Sequence, residues 1–435
     1  MKFLITCLGS FLIMSLSFGQ SAKQQKVFTE DIDNFWVAFD SIQTTKDSIN
    51  QIHFIQTLYI DKGSEGLKAF MDARDYSAAL WIELINKYPK FWNSIRPNTL
   101  SVKDKAAAIE QSILAFKSLY PGLKDAKMYF TIGGLRSGGT TTGNLVLIGT
   151  EIATGNALTN VSEFPDQWLA RVFREQSPEN IIPLNIHEYV HTQQKGECNS
   201  LLGHAIREGS CDFITELVIG KPMQTSYIKY GYGHEIELKA SFKREMFSKS
   251  ISNWLYNGSN AKTVADLGYF MGYQICKSYY ANASDKKKAV EDIIELNYSD
   301  TTAVEAFLQK SGYYKEKINK EELISAYQAN QPVFMKITAF SNGDSLVDPL
   351  TKEITLVFSK PMNPTHYSIN YGKGGKEYYP ITGIVGFSND SSSFTVKTEL
   401  KPGHAYEFVI TNKSFKSDEG YPLLKDYLIA FKTKP

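Results

Sequence analysis

The sequence predicts an α+β fold: a larger, mostly helical part carrying a small sheet, followed by an all-β sandwich. Three observations predict it. Apolar residues recur at spacings of three and four through much of residues 27–325, the period of a helix with one buried face. Two short apolar runs, residues 128–132 and 145–151, flank a glycine-rich stretch and read as strands. After Pro332 the period becomes two, and Pro, Gly, Asn and Asp punctuate short strands such as 353–358 and 393–397, the texture of a sandwich of about 100 residues.

The chain has 435 residues, 43% of them apolar and 13% aromatic. At about 150 residues per domain, that length predicts two or three domains, and the apolar fraction argues against disorder. Lys plus Arg number 47 against 46 Asp plus Glu, a net charge of +1. Such balance gives no general attraction to nucleic acid or to acidic membranes, and no run of Lys or Arg suggests a basic patch. Nucleic acid is therefore not an expected partner.

In chain order, Lys2 precedes apolar or small residues up to Phe18, and Gly19-Gln20-Ser21-Ala22 follows. This is the layout of a secretory signal peptide over residues 1–19 or 1–22. The run is shorter than the roughly 20 apolar residues that span a bilayer. No integral membrane segment is expected after its removal, and the mature chain is expected in the periplasm, outside the cell or at its surface. Residues 27–120 read as helices and end at Pro121-Gly122. Residues 133–143 read as a polar, glycine-rich loop between the two strands. It lacks GxGxxG and Gly-Lys-Ser/Thr and leads into a strand, so it is a poor phosphate cradle. Pro183 opens a helix over 184–194, and further helices are expected over 206–219, 233–248, 267–280, 286–296 and 302–310. Residues 330–332 read as a linker, which sets the expected domains at 23–330 and 334–435. Signal removal leaves Cys198, Cys211 and Cys276. A Cys198–Cys211 disulfide is allowed but not implied, and without a CxxC a thiolate zinc site is not expected.

The chemistry lies in His187-Glu188-Tyr189-Val190-His191. A helix advances 3.6 residues per turn, so His187 and His191 project from one face. Two imidazoles so placed can share one Zn²⁺, each about 2.1 Å from it. Glu188 then lies beside the metal without ligating it. Zinc lowers the pKa of its water towards about 7, and a neighbouring carboxylate can finish the deprotonation. A catalytic zinc needs a third protein ligand and one open position. Candidates are Glu208, expected near the start of the next helix, and Glu197, His204 and Glu216. Glu197 falls where the metzincin pattern has its third ligand, but Gln194 stands in place of that pattern's Gly.

The run Glu208-Gly209-Ser210-Cys211-Asp212, 17 positions after His191, resembles the second helix of gluzincin (thermolysin-type) metalloproteases. The resemblance implies His187, His191 and Glu208 as ligands of one zinc ion and Glu188 as general base. It also implies that Asp212 orients His187, fixing its tautomer and ring angle. More widely, the Phe35-Trp36 pair, the glycine-rich stretch before the motif, the Glu208–Asp212 run and Gly268-Tyr269-Phe270-Met271-Gly272-Tyr273 resemble, over roughly residues 28–325, a bacterial family of secreted, predicted zinc-dependent proteases. In zincins the strand before the motif helix pairs with an extended peptide, so Leu145, Val146, Leu147, Ile148 and Gly149 are expected to form a substrate-binding edge. An oxyanion donor is sought among Tyr230, Tyr232, His234, Tyr269 and Tyr273, with Tyr232 and His234 as the leading candidates.

The last 95 or so residues carry, in order, Val347-Asp348-Pro349, Phe358-Ser359-Lys360-Pro361-Met362, Leu400-Lys401-Pro402-Gly403 and Asp418-Glu419-Gly420. They resemble the bacterial Ig-like domain of surface-layer proteins, which implies a seven-stranded sandwich. Its expected role is as a spacer, or as a contact for a cell-surface polysaccharide or another protein. The function expected is thus a secreted zinc metallopeptidase acting on peptide or protein substrates. The alternatives are a zinc-holding binding protein without turnover and a zinc hydrolase of a non-peptide bond.

Overall fold

The computed structural model describes residues 25–165, 167–258, 261 and 263–435. The expected signal segment lies outside the described residues. Helices Glu30–Gln43, Ser48–Ile55, Glu65–Arg74, Ala78–Lys87, Pro89–Ser101 and Ala106–Leu119 open the chain. Asp47, Ser64 and Ser77 cap three of them by accepting first-turn N–H groups. Their inward faces are aromatic: Phe35, Tyr59, Trp81, Phe91 and Trp92 are buried and pack largely edge to face.

These helices hold a four-stranded sheet of β1 (Val27–Phe28), β2 (Lys127–Thr131), β3 (Gly139–Thr142) and β4 (Leu145–Gly149), in the order β1-β2-β4-β3. Strands β1, β2 and β4 are parallel, and β3 runs antiparallel to β4. This corrects two expectations. The glycine-rich stretch is not all loop, because Thr140, Thr141 and Thr142 fold back as β3. And Leu145, Val146, Leu147, Ile148 and Gly149 are buried, with their main-chain groups paired on both sides by β2 and β3. They are no edge; β3 is. The threonines favour a strand, and Gly143, at φ +57°, lets the chain turn. A Cβ on Gly149 would meet the Ser137 carbonyl oxygen at 2.1 Å. The base of the hairpin hangs on buried Glu151, whose carboxylate accepts the N–H groups of Gly133 (2.8 Å) and Leu135 (3.1 Å).

Four helices follow that matter for the site: the motif helix Ile181–His191, the acidic helix Leu201–Ile219, the kinked helix Ser226–Glu245 and the tyrosine helix Leu267–Asn282. Ser200 caps the acidic helix by accepting the Gly203 N–H. Glu208 therefore lies two turns inside that helix, not at its start, and the end of the helix dipole does not account for it. The acidic and tyrosine helices cross in backbone contact. A Cβ on Gly272 would come within 1.7 Å of the Ala205 carbonyl oxygen, and one on Gly209 within 2.0 Å of the Tyr273 nitrogen. No flexible side chain could yield there. Gly272→Ala is expected to cost more than the roughly 1–3 kcal/mol of ordinary overpacking, and to lower zinc retention because Glu208 rides on the displaced helix. Thermal unfolding with zinc analysis checks this, and a wild-type melting temperature would refute it.

Helices Lys286–Ile294, Thr301–Ser311 and Lys320–Asn330 complete the helical part. The remainder is two antiparallel sheets. One has β5 (Phe334–Ile337), β6 (Glu353–Phe358), β8 (Ile381–Phe387) and β9 (Ser393–Thr398) in the order β5-β6-β9-β8; the other has β7 (Ile369–Tyr371), β10 (Ala405–Ile410) and β11 (Tyr427–Lys432) in the order β11-β10-β7. They enclose their own core around Leu356, Phe394, Phe408 and Phe415, separate from the larger core around Phe35, Phe130 and Tyr189. The fold class is α+β with a small sheet, then an all-β Ig-like region. Among the described residues no helix is long and apolar enough to cross a membrane.

Candidate metal centre

The motif helix places Ile186, Tyr189 and Val190 in the core. Its remaining face presents His187 and His191, whose ring centroids are 4.8 Å apart. The acidic helix packs against it and brings Glu208 to the same point. Three atoms converge there. His187 Nε2 and His191 Nε2 are 3.1 Å apart, and one Glu208 carboxylate oxygen lies 3.5 Å from the first and 3.2 Å from the second.

Each imidazole is turned by its other nitrogen. His187 Nδ1 is 2.8 Å from Asp212 Oδ1, and Tyr227 donates to the second Asp212 oxygen at 3.0 Å. His191 Nδ1 is 2.7 Å from Gln194 Oε1. An N–H at each Nδ1 leaves the Nε2 lone pairs facing one another, an arrangement that suits a cation between them. For ligands about 2.0–2.1 Å from a tetrahedral ion the ligand–ligand separation is about 3.3 Å, and the three observed separations bracket that value. Burial alone would lower the His187 pKa, but Asp212 and Glu208 more than offset it and hold it well above the ordinary histidine value. Burial would raise the Glu208 carboxyl, yet the two histidines hold it well below its usual range. The pocket is thus built to hold positive charge, which a divalent ion supplies more fully than a proton.

A second donor set competes: His187, His191 and Cys211 also lie close enough together to hold an ion. The geometry favours Glu208. The Cys211 sulfur is 3.3 Å from His191 Nδ1, on the far edge of that ring from the Nε2 that meets His187 and Glu208. Burial, and then Glu208 and Asp212, also push the thiol well up.

Residues 151–302 match a predicted zinc-dependent protease family. Its description reads "Predicted Zn-dependent protease (DUF2268)", and the matched segment contains His187, Glu188, His191, Glu208 and Asp212. Residues 329–433 match "Bacterial Ig-like domain". No curated protein is similar enough to match. Among solved structures the chain is similar to CopC from Methylosinus trichosporium OB3b, at 15% identity over 24% of this chain and 95% of that one, with a TM-score of 0.19. It is also similar to the S-layer protein rSbsC(31-844), at 15% identity over 61% of this chain and 36% of that one, with a TM-score of 0.18. Likeness that low carries no argument. The family match itself points to zinc and to a protease.

The other residues expected at the site divide. Glu188 is half-buried beside the edge strand: a Cβ on Gly139 would lie 3.1 Å from its Oε1, and His191 feels its charge. Tyr232 and His234 are drawn elsewhere. The Tyr232 hydroxyl contacts those of Tyr273 (3.1 Å) and the Lys277 amine (3.0 Å). His234 stacks on Tyr230 and meets its carbonyl, at the point where the helix kinks. No hydrogen bond among the described residues joins either to the histidine pair. Glu216 pairs with Tyr273 and Lys277, and Glu197 is exposed. His204, half-buried on the acidic helix one turn before Glu208, makes no hydrogen bond to the cluster among the described residues. Cys198, Cys211 and Cys276 are free thiols.

Two residues were not foreseen. Gln194 does for His191 what Asp212 does for His187, and its amide nitrogen is held in turn by the Arg207 carbonyl (2.8 Å) and Ser210 hydroxyl (2.9 Å). Tyr256 donates its hydroxyl to the second Glu208 oxygen at 2.8 Å while its side chain is largely exposed, with backbone φ +54°. A non-glycine residue in the left-handed region is uncommon and is held there by its surroundings. Tyr269 stacks near His187 (6.0 Å, 23°) and flanks Tyr256.

Proposed function

We propose that the chain is an exported zinc metallopeptidase of gluzincin type, with His187, His191 and Glu208 holding one zinc ion and Glu188 as general base. The convergence of two imidazole Nε2 atoms and one carboxylate oxygen within 3.5 Å, with the Glu188 charge acting on His191, carries the reading. Zinc bound there supplies Lewis acidity and an acidified water. Glu188 takes the proton of the attacking water and returns it to the leaving amine. Asp212 and Gln194 keep the two rings in register. Strand β3 accepts an extended peptide by main-chain pairing alongside Glu188, which imposes little sequence preference. Export rests on Lys2 and the apolar run after it.

Tyr256 replaces Tyr232 and His234 as the donor to the developing oxyanion. Its hydroxyl bonds the Glu208 oxygen that does not face the two imidazoles, and its side chain is exposed, so it can turn from Glu208 to a substrate oxygen. Loss of one such donor typically costs about 10²–10³ in kcat. Tyr256→Phe, compared with wild type at equal zinc occupancy, is expected to fall in that range with KM near wild type. An unchanged kcat would return the role to another residue.

Casein and a mixed peptide library, incubated with zinc-loaded protein, test the reading. Cleavage that a chelator abolishes and added zinc restores supports it. A chain that binds one zinc yet cleaves no peptide would favour the binding protein or the non-peptide hydrolase.

A further inference from the structure

Where the helical part meets the Ig-like part, a cleft of about 610 Å³ opens between the end of the kinked helix, helix Lys320–Asn330 and the loop between β10 and β11. Its volume lies in the range of small-molecule sites. Four cationic side chains line it: Arg244 and Lys249 from the helical part, Lys413 and Lys416 from the Ig-like part. No Asp or Glu lines it. They come as two pairs from distant parts of the sequence, so no single segment shows the cluster; the fold assembles it.

The surroundings are those of an anion site. Arg244 donates to the Ser241 hydroxyl at 3.0 Å, and none of the four makes an ion pair among the described residues. Lys416 is half-buried and donates to the Ser252 hydroxyl, which lies 3.4 Å from the Ser250 hydroxyl. Ser248 and Ser250 also line the cleft, and the buried Tyr327 hydroxyl lies beside both without reaching a partner at hydrogen-bonding length. Glu245 is the nearby carboxylate. It points away to Asn253, at 3.0 Å, and feels Arg244 and Lys416 only at longer range. Cations lining one cleft with hydroxyl donors, and with no carboxylate in the lining, can bind oxyanions through short, charge-assisted hydrogen bonds.

We propose that this cleft binds a multiply charged phosphate-type oxyanion that bridges the helical and Ig-like parts. Two sources share that chemistry: a free oligophosphate, and a phosphate group carried on a polymer. The inference does not depend on the protease reading.

Titration calorimetry of the zinc-loaded full chain with inorganic pyrophosphate, and separately with poly(glycerol phosphate), tests it. One pyrophosphate or one polymer site per chain is expected. In Lys413→Ala/Lys416→Met the affinity is expected to drop at least tenfold while zinc content stays at wild type. Methionine keeps the Lys416 stem packed, and the exposed pair Lys249→Ala/Lys413→Ala serves as a second variant should the first misfold. Binding of pyrophosphate alone identifies the free anion as the source; binding of the polymer identifies the carried one. Failure of both to bind at millimolar concentration overturns the proposal. So does binding undiminished in the variants, which would put the anion on the metal or elsewhere.

Discussion

Glu208→Ala is expected to give a folded chain that no longer retains stoichiometric zinc. The substitution removes the oxygen that lies 3.2 Å and 3.5 Å from the two imidazole nitrogens and leaves two ligands where a stable zinc site has three or four. Even an outer partner of a metal-bound histidine costs about 10–100-fold in affinity when removed, so loss of a ligand should exceed 100-fold on the same scale. Asp212→Asn belongs to the outer class. The amide can still meet Tyr227, but it can no longer offer a charged acceptor to His187 Nδ1 at 2.8 Å, and a 10–100-fold loss is expected. Elemental analysis after dialysis against a competing chelator measures both. Zinc kept by Glu208→Ala but lost by Cys211→Ser would hand the third position to the thiol.

Glu188→Gln should do the reverse: full zinc, almost no hydrolysis. The side chain keeps its length beside β3 but cannot accept a proton. General-base catalysis is worth about 10²–10⁴ in rate, and a loss of that size in kcat is expected with KM little changed. Peptide turnover by both proteins at equal zinc occupancy measures it. Wild-type turnover would remove Glu188 from the chemistry, whereas loss of zinc would make it a ligand.

Which parts of this site could be read from the sequence depends on how local each constraint is. His187 and His191 share a helix face because four residues make slightly more than one turn, and Glu208 and Asp212 are related in the same way on the next helix. That arithmetic holds whatever surrounds it. Gln194 lies three residues beyond His191 and was readable by the same rule. In the metzincin pattern it reads as a departure from a glycine, and that reading hides its role as a partner for the ring. Tyr256 was not readable. It reaches Glu208 across 48 positions from an irregular segment, and among 25 tyrosines no local pattern selects it. The edge strand failed for another reason. The glycines around Thr140-Thr141-Thr142 mask strand propensity in a short window, and only pairing with β4 makes the strand. Buried β4 looks like an edge when its second neighbour is taken for a loop. Tyr232 and His234 fall away because their partners are Tyr273 and Lys277 for the first and Tyr230 for the second, contacts that no local pattern reveals.

The α+β class was readable from the change of hydrophobic period alone. The glycines at 209 and 272 were visible as motif letters, but their purpose is the backbone contact between two helices, which no single segment reveals.

The central claim is that two imidazoles and the Glu208 carboxylate hold one zinc ion. X-ray absorption at the zinc edge of the zinc-loaded protein tests it most directly. Two histidine nitrogens and oxygen donors at about 2.0–2.1 Å, with no sulfur near 2.3 Å, and loss of that spectrum in Glu208→Ala, are the predicted result. A sulfur scatterer in the first shell, or an unaltered spectrum in Glu208→Ala, would contradict it.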